Sequence, residues 1–239
     1  MSEVGVPGGS AFPTTRWTLI LSAQASPEAR RVALESLLST YWKPLYVFLR
    51  RKGLAPDAAA DAVQDLVVQL IERDALGQLS PQRGRLRAYL RASAANYLAN
   101  RQERASAHKH GGGAQLVPLD LALAERLVSE EGEDPERAFE RRWAAELMER
   151  ALFRLGEEYR SGARTGPFEL VLAFFGAGTP PPYKDAAARH GMSVPQLKSF
   201  LHRARQRFTQ LVQEEVGETV ASGDDAQAEL SHVIATWNG

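Results

Sequence analysis

The chain has 239 residues, enough for one large domain or two small ones, and its 44% hydrophobic and 24% charged residues are the balance of a globular protein. It has no cysteine, which excludes disulfides and thiolate metal sites, and no apolar run near the ~20 residues of a membrane helix. The formal net charge is zero, yet the charges are segregated. Seven basic residues face one acid between Pro81 and His110, and four face none between Lys198 and Arg207. Twelve acids against six arginines lie between Asp120 and Glu158, and Glu214 to Glu229 carries acids alone. Two basic patches on an otherwise acidic chain point to two contacts with a polyanion. The opening MSEVGVPGGS lacks the basic and apolar regions of a secretion signal, so a cytoplasmic location is expected.

The periodicity is helical almost throughout, and no alternating β-branched segment reads as a strand. Ser26-Pro27 starts a helix, with serine as N-cap and proline in the first turn. Val32, Leu34, Leu37 and Leu38 lead to Tyr41-Trp42, Lys43-Pro44 interrupts or kinks the pattern, and Leu45, Phe48 and Leu49 continue it to a stop at Gly53. Pro56-Asp57 opens a second helix. Its apolar stripe is Val63, Leu66, Val67, Leu70 and Ile71, with Asp61, Gln64 and Asp65 on the polar side. A third helix is expected from about Gly84 to Arg104, with Leu86, Tyr89, Leu90, Ala94 and Tyr97 on one face.

His108, His110 and the triple glycine at 111–113 form a break. No Gly-Lys-Ser/Thr follows, so this is no phosphate loop, and two histidines without a third ligand assign no metal. Acidic, irregular sequence leads to Asp134-Pro135, another cap-and-proline start, after which Phe139, Trp143, Leu147, Ala151 and Leu155 sustain a helical stripe. A short apolar helix is expected over Phe168 to Phe175, between two loops.

Tyr183 to Gln213 reads as a helix-turn-helix. Ala186, Ala187 and His190 lie on the first helix and Gly191 makes the left-handed exit. Ser193 caps the second helix and Gln196 completes a capping box. Val194, Leu197, Leu201, Ala204 and Phe208 recur at spacings of three and four as a buried stripe. Ser199, His202, Arg203 and Gln206 then point outward, with Lys198 and Arg205 on the flanks. Such a face can hold phosphates and read base edges in the major groove. In the tail, Leu230, Val233, Ile234 and Trp237 suit a short amphipathic helix that docks or blocks DNA.

Three of these segments resemble, in order, the motifs of bacterial RNA polymerase sigma factors of the extracytoplasmic-function group. DAVQDLVVQ, from Asp61 to Gln69, is similar to the polymerase-docking signature, and RGRLRAYLRASAANYLANRQER, from Arg83 to Arg104, to the promoter-melting segment. Tyr183 to Val212 resembles the helix-turn-helix that reads the minus-thirty-five element. Thr14 to Trp17, the triple glycine, Asp134 to Trp143 and the acidic tail resemble one larger branch of the group. Gln102, Glu103 and neighbouring alanines depart from a denser arginine cluster, and Phe200 stands where small or polar residues are common, departures that bear on the promoter sequence.

The resemblance implies an all-α fold of two small helical domains. These are residues 14–113 for core polymerase and the minus-ten element, and 134–217 for the minus-thirty-five element. An acidic linker over 114–133 joins them, and 218–239 form an acidic tail. It implies that Asp61, Gln64 and Asp65 contact core RNA polymerase, and that Arg87, Tyr89, Arg91, Asn96, Asn100, Arg101 and Arg104 hold the displaced minus-ten strand. It assigns Gln196, Lys198, Ser199, His202, Arg203 and Arg205 to the minus-thirty-five duplex. No enzymatic activity and no cofactor are expected, the partners are core RNA polymerase and promoter DNA, and the regulator is open between an anti-sigma factor, a kinase and the tail. A helix-turn-helix regulator that binds duplex DNA alone is the alternative.

Overall fold

The computed structural model describes residues 26–72, 86–105, 121–128, 132–176, 178–219 and 223–238, and these are all-α. In chain order the helices are α1 (Pro27–Arg51), α2 (Pro56–Glu72), α3 (Leu86–Ala105), α4 (Leu121–Arg126), α5 (Pro135–Arg160), α6 (Phe168–Phe175), α7 (Tyr183–Arg189), α8 (Val194–Gly217) and α9 (Gly223–Asn238). The expected entry at Thr14 to Trp17, His108, His110 and the triple glycine lie outside the described residues. No described helix is long and apolar enough to cross a membrane.

Local signals set the helix ends. The Ser26 and Asp134 side chains accept from the backbone N–H groups of Ala29 and Arg137, at 3.1 and 3.0 Å, and so satisfy donors that have no intrahelical partner. Gly53 ends α1 at φ +97°, a conformation that costs a side-chain-bearing residue. Of the two effects expected of Pro44, an interruption or a kink, the first does not occur, because α1 runs through it. Proline removes the bond to the carbonyl four residues earlier, at Thr40. Arg150 of α5 reaches that turn and donates to the Ser39 carbonyl at 3.3 Å, the Ser39 hydroxyl at 3.2 Å and Thr40 Oγ1 at 3.3 Å.

α5 is the axis of the molecule, with α1, α8 and α9 packed along it, α2 and α3 on α1, and α6 and α7 on α8. The stripe Phe139, Trp143, Leu147, Ala151 and Leu155 is fully buried, as its spacing predicts. Each large member of that stripe contributes about 1.5–3 kcal/mol on burial. Phe48 of α1 meets Phe139 edge-on, with ring centroids 6.3 Å apart.

The described buried residues of 14–113 and 134–217 belong to one hydrophobic cluster that includes the stripe of α5. The expected linker, 114–133, contains α4. A six-residue helix has too few hydrogen bonds to stand alone, and here it is tied down by charge. Glu125 accepts from Arg50 Nε at 2.7 Å and Nη2 at 3.0 Å, and from the Tyr46 hydroxyl at 2.5 Å. The Arg50 guanidinium holds the Glu125 carboxyl below the usual carboxylate range, and burial pushes the Tyr46 phenol up.

Candidate nucleic-acid interface

The clearest outward-facing chemistry is on α8. Its start is fixed by a complete capping box, in which Ser193 Oγ accepts from Gln196 N at 3.3 Å and Gln196 Oε1 accepts from Ser193 N at 2.7 Å. The preceding turn at Gly191 has φ +62°, the left-handed conformation expected there. Leu197, Leu201 and Ala204 are buried as predicted, whereas Val194 and Phe208, expected in the same buried stripe, are half-buried. That stripe turns Gln196, Lys198, Ser199, His202, Arg203, Arg205 and Gln206 to solvent. Gln196 therefore serves the cap as well as lying on the exposed side.

Three of the exposed groups are pre-set by neighbours. Arg203 Nη1 donates to Ser199 Oγ at 2.8 Å, one helical turn back. The Lys198 ammonium lies 5.6 Å from the Tyr183 ring centroid, and the Arg205 guanidinium 5.3 Å from that of Phe175. Such cation–aromatic contacts restrict a long side chain without neutralising it. Tyr183 and Phe175 are functional candidates that the sequence reading passed over. Both lie at short-helix ends, where only tertiary structure reveals the neighbour. Lys184 and Arg189 on α7 are exposed beside this face.

Arg207, counted within the same basic patch, is spent internally. It donates to Glu158 Oε1 from Nε at 2.9 Å and Nη2 at 2.6 Å, to Glu158 Oε2 from Nε at 3.1 Å, and to Glu214 at 3.0 Å. The Arg207 guanidinium, with Arg164 adding to it, holds the Glu158 carboxyl below the usual range. Between the end of α5, the turn that follows it and α8 opens a cavity of about 440 Å³, lined by Glu158, Tyr159, Ala163, Arg164, Thr165, Phe200 and Arg203. Phe200, read as a bulky residue on a flank, turns out to be buried. It fills space left by Gly166, where a Cβ would sit 2.5 Å from the ring at φ +120°.

The N-terminal candidates divide. On α2, Asp61 is exposed, but Gln64 turns inward and is buried. Asp65 is half-buried and accepts from the Tyr97 hydroxyl of α3 at 2.9 Å. On α3, Asn96 and Asn100 are exposed, while Tyr89 is half-buried against the core. Arg101 and Arg104 lie within α3, but their side chains are outside the described residues.

Arg87 was expected to face DNA and instead is buried. Its Nε donates to Glu140 Oε2 of α5 at 2.6 Å, its guanidinium stacks 4.5 Å from the Trp143 ring centroid, and it pairs with Glu229 of α9. Arg91 is half-buried and donates to Glu140 Oε1 at 2.9 Å. The physical reason is position: Arg87 follows buried Leu86 on the side of α3 that meets α5, where carboxylates await it. Among the described residues no group of three or more His, Asp or Glu side chains could hold a metal ion.

No family model matches the chain, and neither does any curated protein or solved structure.

Proposed function

We propose that this chain is a sigma factor that joins core RNA polymerase and directs promoter recognition and strand opening, without making or breaking covalent bonds itself. The observation that carries this reading is the exposed face of α8. A rigidly capped helix presents Lys198, Ser199, His202, Arg203 and Arg205 in the pattern a major-groove reader needs. The resemblance of 61–69 and 83–104 to the docking and melting motifs, in the same order along the chain, adds the polymerase to that picture. In this reading Asp61 lies on the docking face, Asn96 and Asn100 meet the unpaired strand, and α8 meets the upstream duplex. The site of action is the cytoplasm, and the regulator is an anti-sigma factor, a kinase or the tail.

A second reading, a helix-turn-helix regulator that binds duplex DNA without polymerase, is favoured by the burial of Gln64 and Arg87, two residues the first reading needs outside. Size-exclusion chromatography of the chain with core RNA polymerase separates the two. Co-elution supports the sigma reading. Separate elution, together with sequence-specific duplex binding by the free chain, supports the regulator.

A further inference from the structure

α9 lies on α5 and α8 and buries Leu230 and Val233 against them. That packing alone would make it an ordinary terminal helix. Its polar side does something else. Glu229, only 1% exposed, pairs with Arg87 of α3, and His232 Nε2 lies 3.1 Å from Glu140 Oε2. Glu140 in turn holds Arg87 and Arg91. α9 thus completes a charge cluster that joins α3 to α5 and keeps Arg87, a cation of the segment 83–104, from the surface.

Size makes this arrangement consequential. Elements named for positions minus ten and minus thirty-five are about 25 base pairs apart, or about 85 Å of B-form duplex at about 3.4 Å per pair. A compact chain of 239 residues is about 45 Å across. One body of that size, with α1, α3 and α8 all tied to α5, cannot reach both elements together. On the sigma reading the chain must then open to act at a promoter.

We infer that α9 is a clasp that holds the chain in a closed, strand-refusing arrangement, and that its release frees Arg87 for single-stranded DNA. The inference deepens the sigma reading and rests on it for the biological role. The clasp itself is a matter of geometry. Glu229 supplies a carboxylate that mimics, inside the protein, the phosphate that Arg87 would meet outside. Breaking that pair leaves Arg87 buried with less compensation, which favours outward movement of α3 from α5.

The test compares the full chain, a chain ending at Thr219, and the full chain carrying Glu229→Arg. Each is titrated with fluorescent oligothymidylate by anisotropy at several salt concentrations, with helix content checked by circular dichroism. Freeing one phosphate-binding cation should steepen the salt dependence by about 0.7 in the log–log slope, about a 2.6-fold larger loss of affinity between about 50 and 200 mM salt. Both variants should also bind more tightly than the full chain at the lower salt. Affinities and slopes equal to those of the full chain, in variants that keep their helix content, overturn the clasp. If the shortened chain loses helix beyond the residues of α9, Glu229→Arg decides alone. Tighter binding by the variants with no transcription from core RNA polymerase upholds the clasp and removes the sigma reading.

Discussion

Replacing Arg87 by Met should be among the most damaging single changes outside the hydrophobic core, and a second change should rescue it. Arg87 has a side-chain exposure of 6%, and the carboxylates that meet it, Glu140 and Glu229, have 16% and 1%. Removing the cation takes from buried Glu229 the guanidinium it pairs with, whereas Glu140 keeps Arg91. Truncating one partner of a buried pair costs ~3–5 kcal/mol. For a chain of this size that is roughly a 6–20 °C fall in Tm. Glu229→Leu should cost less, about 1–3 kcal/mol, because Arg87 keeps its 2.6 Å bond to Glu140. The double variant Arg87→Met with Glu229→Leu replaces ion pair by hydrocarbon and should lie within about 1 kcal/mol of the wild type. The coupling in the cycle is then at least about 3 kcal/mol. Urea titrations followed by circular dichroism give the four free energies, provided m stays constant. Additivity within about 0.5 kcal/mol would refute the buried pair as described.

Gly166→Ala should destabilise by more than about 1 kcal/mol, since the new Cβ meets Phe200 at 2.5 Å and φ is +120°; an unchanged urea midpoint would contradict this. The pH dependence follows from Glu125 and Glu158, whose carboxyls are held low by Arg50 and Arg207. A carboxyl depressed in the folded state contributes stability above its unfolded pKa, about 4.3, that is lost as pH falls through the lower folded value. Glu125→Gln and Glu158→Gln should therefore lower Tm at neutral pH and shrink its fall in acid; a Tm profile parallel to wild type rejects the assignment. On single-base variants of an upstream element, Arg203→Ala should lose ~1–3 kcal/mol of discrimination at one position, measured in holoenzyme. Arg205→Ala should weaken all variants alike and flatten the salt dependence, and the opposite pattern would exchange their roles.

What could be read from the sequence was what is decided within a few residues. The caps at Ser26, Asp134 and Ser193, the turn at Gly191 and the stripe from Phe139 to Leu155 all stand where spacing put them. Groups decided by distant partners could not be read. Arg87 looks like a surface arginine until α5 brings Glu140, 53 residues away, against it. α4 looks like linker until Arg50, 75 residues earlier, grips Glu125. Glu229 seems one more charge in an acidic tail, and only docking of α9 gives it a buried cation. The face of α8 lies between these cases: its direction follows from the apolar stripe, but the aromatic supports of Lys198 and Arg205 come from α7 and α6.

The central claim is that the chain works through RNA polymerase, and transcription from a promoter library by core enzyme with and without the chain tests it most directly. Asp61→Arg is the informative variant, because Asp61 is exposed whereas Asp65 also holds Tyr97. The account predicts transcripts that begin at defined positions only when the chain is present, and that fall when Asp61 is reversed. Core polymerase that gains no promoter-specific transcripts from the folded chain would contradict it.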